Sequence, residues 1–73
     1  MKLEVGQIRQ WARHEDARGY LPRHVCGKVF LVIGDELYCD GMYRTPVLGH
    51  GGMREFWATK FMTEFSEVID ETR

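Results

Sequence analysis

Arg54-Glu55-Phe56-Trp57-Ala58-Thr59-Lys60-Phe61-Met62-Thr63-Glu64-Phe65-Ser66-Glu67-Val68-Ile69-Asp70-Glu71 is the stretch on which the fold turns. Trp57, Phe61, Phe65 and Val68 recur at intervals of four, four and three, the period of a helix with one apolar face. Yet Phe56-Trp57-Ala58-Thr59 opens like a strand and Glu67-Val68-Ile69-Asp70 closes like one. Two readings follow. In the first, a short strand, a helical turn near Thr63 and a last strand complete a mainly β chain. In the second, a C-terminal amphipathic helix packs on a β-meander to give an α+β fold. We take the first, with the second as the alternative.

Upstream, Gly49-His50-Gly51-Gly52 is a loop. Leu37 to Leu48 reads as extended chain around Asp40-Gly41, a pair suited to a type I′ hairpin turn or to a bulge in one long strand. Pro46 argues for an edge position. Val25 to Ile33 is the clearest strand. Val25, Val29, Leu31 and Ile33 share one face and Phe30 and Val32 the other, so a central position is expected. Gly34-Asp35 supplies a turn. His14 to His24, polar and broken by Gly19 and Pro22, is a long loop. Leu3 to Ala12 reads as a strand in which a slip near Gly6 brings Val5 and Ile8 to one side. The expected interior is Val29, Leu31, Ile33 and the aromatic residues near the C-terminal end.

A chain of 73 residues is a single domain, residues 1–73, with a thin core. Its 44% hydrophobic and 29% charged residues are ordinary for a globular protein. The size excludes a dinucleotide-binding domain and a large catalytic cleft. The longest apolar run, Val29 to Ile33, is far too short for a membrane helix. No apolar segment follows Met1, so a cytoplasmic protein with free thiols at Cys26 and Cys39 is expected. The net charge of −1 predicts no strong general attraction to nucleic acid or anionic membrane. The charge is unevenly spread, however. Residues 1–34 hold six Lys/Arg and three Asp/Glu, a net of +3, whereas residues 35–73 hold four and eight, a net of −4.

Sites of reactive chemistry are poorly supported. His24, Cys26, Cys39 and His50 are zinc-ligand types, but Cys39 and His50 lack the close pairing of a structural zinc site, so no metal or cofactor is expected. A Cys26–His24 nucleophile pair needs a pocket that so short a chain does not supply. The glycine loop at 49–52 lacks a nucleophile elbow, since Ser66 is the sole serine. Gly27-Lys28 is no phosphate loop. Glu15-Asp16 and Asp35-Glu36 are solvated turn acids. The expectation is therefore a protein without catalytic residues. Aromatic residues set among arginines remain: Trp11, Tyr20 and Tyr43 beside Arg13, Arg18, Arg23 and Arg44. Such a set suits a protein-binding surface or the stacking of single-stranded bases.

Val5-Gly6-Gln7-Ile8, Gly27-Lys28-Val29-Phe30-Leu31-Val32-Ile33, Tyr38, Tyr43-Arg44-Thr45-Pro46-Val47 and Trp57-x-x-x-Phe61-x-x-x-Phe65-x-x-Val68-Ile69 together resemble small uncharacterised SH3-like barrel proteins of bacteria and phages. The resemblance implies a five-stranded SH3-like barrel with a short helical turn before the last strand, encoded by a phage or mobile element. It implies a small non-catalytic protein-binding module, a stoichiometric regulator or inhibitor of a host protein. The alternative is a nucleic-acid-binding small β-barrel, suggested by the basic first half. A protein partner is expected at Arg13, Arg18, Tyr20 and Arg23, extended by Trp11, Tyr43 and Arg44. Homo-oligomer formation would relieve the thin core.

Overall fold

The structure, a computed structural model, describes residues 3–71. Strand β1 (Gln7–Trp11) is followed by helix α1 (His14–Ala17), then β2 (Val29–Val32), β3 (Leu37–Cys39), β4 (Met42–Leu48), β5 (Arg54–Ala58), helix α2 (Thr59–Phe65) and β6 (Ser66–Glu71). All pairings are antiparallel and form one open sheet in the order β3-β4-β2-β1-β6, with β5 on β4. The chain is mainly β, as read from its sequence. The count differs from expectation: six strands among the described residues, not five, because Asp40-Gly41 makes a true hairpin.

Residues 54–71 are strand, helix, strand. A continuous C-terminal helix is overturned by β5 and β6, which pair with β4 and β1. The helical part is also longer than a single turn near Thr63. It runs seven residues, buries Met62 completely and places Phe61 and Phe65 side by side one turn apart. The Ser66 hydroxyl bonds back to the Met62 carbonyl, and Ser66 itself is extended, so the helix stops where β6 begins.

The faces of β1 and β2 are the reverse of the sequence expectation. Gln7, Arg9 and Trp11 point inward on β1, and Phe30 and Val32 on β2. Val5 and Val29 are exposed, and Ile8, Leu31 and Ile33 only half-buried. Side chains alternate strictly along a strand, so one large ring decides the parity of its neighbours. Trp11 packs against Phe30 at 4.6 Å and Trp57 at 4.9 Å between ring centroids. Turning Ile8 inward would expel that indole. The irregularity in β1 lies not at Gly6 but between Ile8 and Arg9, in the pairing with β6.

The segment 14–24 is likewise no free loop. It contains α1, and Ala17, Leu21 and Val25 from this region are buried in the core with Val47 and Met62. Val25 therefore belongs to a turn, and β2 starts only at Val29. Pro46 lies inside the well-connected β4 rather than on an edge strand. Its carbonyl accepts from the Ile33 N–H, so its missing N–H points the same way. The register that sets Val32 against Val47 sets Ile33 against Pro46, so the return bond to the Ile33 carbonyl is the one that Pro46 forgoes, at the very end of the β2–β4 pairing. Gly34 lets β4 approach: a Cβ there would sit 2.8 Å from Pro46 Cγ. Gly34→Ala is expected to lower stability by about 1–3 kcal/mol, read as a fall in urea midpoint at unchanged slope.

Candidate functional site

Surface grooves gather around α2. Beside the buried Met62 it carries Phe61 and Phe65, half-buried and packed against the core, whose rings meet at 5.5 Å and 72°. Arg18, left-handed at φ 51°, ends α1, and two residues later Tyr20 reaches across. Tyr20 stacks on Phe65 at 5.5 Å and 24° and meets Phe61 edge-on at 6.5 Å. Tyr20 remains 62% exposed. The result is a strip of three rings with two shallow grooves that share Phe61. One, about 300 Å³, is lined by Tyr20, Lys60, Phe61, Glu64 and Phe65. The other, about 350 Å³, is lined by Arg44, Phe56, Trp57, Ala58 and Phe61. The strip is apolar, with a cation at each groove and one carboxylate, the make-up of a site that takes another chain.

Two larger grooves are more polar. One, about 570 Å³, runs past Arg13, Asp16, Glu64 and Glu67. The other, about 660 Å³, is lined by Thr45, Thr59 and Thr63 with Lys60, Asp35 and Glu36. In it the Thr45 and Thr59 hydroxyls lie 2.7 Å apart and satisfy each other, so neither is left seeking a ligand.

The seven residues singled out from the sequence do not form one surface. Tyr20 and Arg44 come together on the two sides of Phe61. Trp11 does not join them: at 4% exposure it is core, because its ring fills the space between Phe30 and Trp57. Arg13 is exposed and lies 3.6 Å from Glu15 and 3.7 Å from Asp16, pairs that solvent largely screens. Arg18 is exposed. Arg23 is exposed with Nη2 3.3 Å from His14 Nε2. Tyr43 faces Tyr38 on the β3–β4 hairpin, ring centroids 5.0 Å apart. Phe61 and Phe65 were read as interior residues, since their helical spacing matches a core stripe. They are half-buried and pack against the core beside the fully buried Met62, and their remaining surface forms the strip.

Arg9 is the unexpected polar group of the interior, at 5% exposure. It donates from Nε to Ser66 Oγ at 2.8 Å, from Nη2 to the Ser66 carbonyl at 2.9 Å and from Nη1 to Gln7 Oε1 at 3.2 Å. Burial pushes its guanidinium below the ordinary value, opposed by the charge of Glu67. The group is a structural clamp between β1 and β6 and lines none of the grooves above.

Cys26 and Cys39 are free thiols. Among the described residues no three His, Cys, Asp or Glu side chains come together as a metal site, and no helix is long and apolar enough to cross a membrane. Comparison with family models, with curated proteins and with solved structures finds no match to this chain.

Proposed function

We propose that this chain is a small non-catalytic binding module that holds an extended segment of a partner protein across the Tyr20–Phe61–Phe65 strip. The observation that carries the reading is the ring strip itself. Three aromatic side chains converge from α2 and the segment after α1, with a groove on each side of Phe61. Extended, proline-bearing peptides lie across aromatic-lined grooves of this kind with little ordering cost. Arg44 and Lys60 at the grooves favour a segment that carries an acidic residue at one end. Binding of this type regulates by occupancy, which suits a stoichiometric regulator or inhibitor.

Peptide-display selection against the whole chain tests the reading. Selected ligands should be extended, rich in proline or other apolar residues, and should lose binding about tenfold or more with Tyr20→Ala, as expected for removal of an aromatic anchor. The thermal midpoint should barely move, because Tyr20 is mostly exposed. Selected peptides that bind Tyr20→Ala undiminished would remove the strip from consideration. Binding of labelled oligonucleotides with a steep fall in affinity on adding salt would favour the nucleic-acid alternative instead.

A further inference from the structure

A different part of the molecule presents a second surface. The β3–β4 hairpin carries Leu37, Tyr38, Met42 and Tyr43, all exposed. Beyond Arg44, residues 42–43 of β4 pair only with β3, not with β5 or β2, so the tip stands clear of the sheet body. Its turn is tight: Asp40 at φ 52° and Gly41 at φ 83° are the two left-handed positions of a type I′ turn. The residues flanking a two-residue turn form a hydrogen-bonded pair, and pairs alternate from there. Cys39–Met42 and Leu37–Arg44 are then the bonded pairs, and Tyr38–Tyr43 the non-bonded one. It follows that the Tyr38 N–H and C=O point away from β4, toward the open side of β3.

Among the described residues β3, β5 and β6 each pair on one side only. Open edges are normally blunted by charge, proline or bulges. Strand β6 carries Glu67, Asp70 and Glu71, and β5 carries Arg54 and Glu55. Strand β3, Leu37-Tyr38-Cys39, carries no charge at all. The acids stand just outside it: Asp35 and Glu36 before, Asp40 after, all exposed. None of the three forms an ion pair among the described residues. A second copy of this chain fits badly, because an antiparallel pairing centred on Tyr38 sets Glu36 against the Asp40 of the copy. Like charges facing across a pair are destabilising.

We infer that the open edge of β3 is a strand-addition site for another protein. Its occupant is an extended segment, apolar in the middle and carrying Lys or Arg at both ends. The backbone of Tyr38 pairs with the added strand, Leu37 and Tyr38 cover its apolar centre, and Asp35, Glu36 and Asp40 pair with its cationic ends. This site is independent of the ring strip on α2.

The test uses the full ¹⁵N-labelled chain and, as probe, a peptide of alternating valine and threonine with a pair of lysines at each end. The peptide should shift the amide resonances of residues 36–43 and leave Tyr20, Phe61 and Phe65 unmoved. Replacing its lysines by glutamates, or N-methylating alternate backbone nitrogens, should abolish the shifts. Tyr38→Pro removes the outward N–H without breaking a bond to β4 and should abolish binding, whereas Tyr38→Phe should bind as the parent does. Replacing Asp35, Glu36 and Asp40 by their amides should weaken binding about tenfold, the sum of three exposed ion pairs. Shifts confined to the ring strip, equal binding of the N-methylated peptide, or no shift at millimolar peptide would overturn the inference. So would concentration-dependent dimerisation that Tyr38→Pro removes, since the edge would then belong to a second copy. Failure here leaves the Tyr20 experiment unaffected.

Discussion

Trp11→Ala is expected to lower the stability of the chain by about 3–5 kcal/mol, enough to bring it to the edge of unfolding in dilute buffer. Trp11 is 4% exposed and packs against Phe30 and Trp57, and removing a buried indole costs about 3–5 kcal/mol. The 73 residues hold only roughly 4–11 kcal/mol in total at the usual stability per residue. A single substitution therefore removes about half of it at the middle of that range and nearly all of it at the low end. Urea titration followed by circular dichroism and by the fluorescence of the remaining Trp57 gives the number. Trp11→Phe keeps a ring in the same space and should retain most of the stability. The contrast with Tyr20→Ala is diagnostic: one residue holds the fold, the other belongs to the proposed binding strip. A Trp11→Ala chain with native stability and lost partner binding would show the indole to be a contact residue after all.

Arg9→Ala is expected to cost about 2–4 kcal/mol, more than Arg9→Met. Truncation removes three donated hydrogen bonds, leaves Gln7 Oε1 and the Ser66 carbonyl with less than they had, and opens a cavity between β1 and β6. Methionine fills much of the volume and brings no charge. The sign of the ionisation effect points the same way. A guanidinium pushed below its ordinary value in the folded state is one whose charged form folding disfavours, so deleting the charge deletes that cost. Exchanging a buried ionic group for an apolar one of similar size is often neutral. Arg9→Met combined with Gln7→Leu, which removes donor and acceptor together, should recover further stability. Urea midpoints should rank Arg9→Ala lowest, then Arg9→Met, then the double variant. The reverse order would mean that Arg9 stabilises through its charge, by way of Glu67 or other acids of β6.

Local signals were legible where the chemistry is local. The Asp40-Gly41 hairpin rests on two residues that accept positive φ. The strand–helix–strand division of residues 54–71 showed in Phe56-Trp57 and Val68-Ile69 at the two ends of a helical repeat. The site was legible only in part. Tyr20 and Arg44 stood out as aromatic and basic residues near turns, and both line grooves beside Phe61. Their companions Phe61 and Phe65 did not stand out, because an aromatic residue at helical spacing looks the same whether its face meets the core or the solvent.

Composition and turn chemistry pointed to a small, mainly β chain with a reversal or bulge at Asp40-Gly41, and left residues 54–71 between strand–turn–strand and a C-terminal helix until the pairing of β5 and β6 settled it. Only the tertiary structure decided which faces of β1 and β2 are inside, and with that the core role of Trp11, the burial of Arg9 and the meeting of exposed Tyr20 with half-buried Phe61 and Phe65. The physical reason is the two-residue period of a strand. A shift of one position exchanges its faces, and when both faces carry apolar residues, as in Val29-Phe30-Leu31-Val32, the hydrophobic pattern is nearly indifferent to the exchange. The choice fell to a contact between residues distant in sequence, Trp11 between Phe30 and Trp57, whose fit no local pattern encodes.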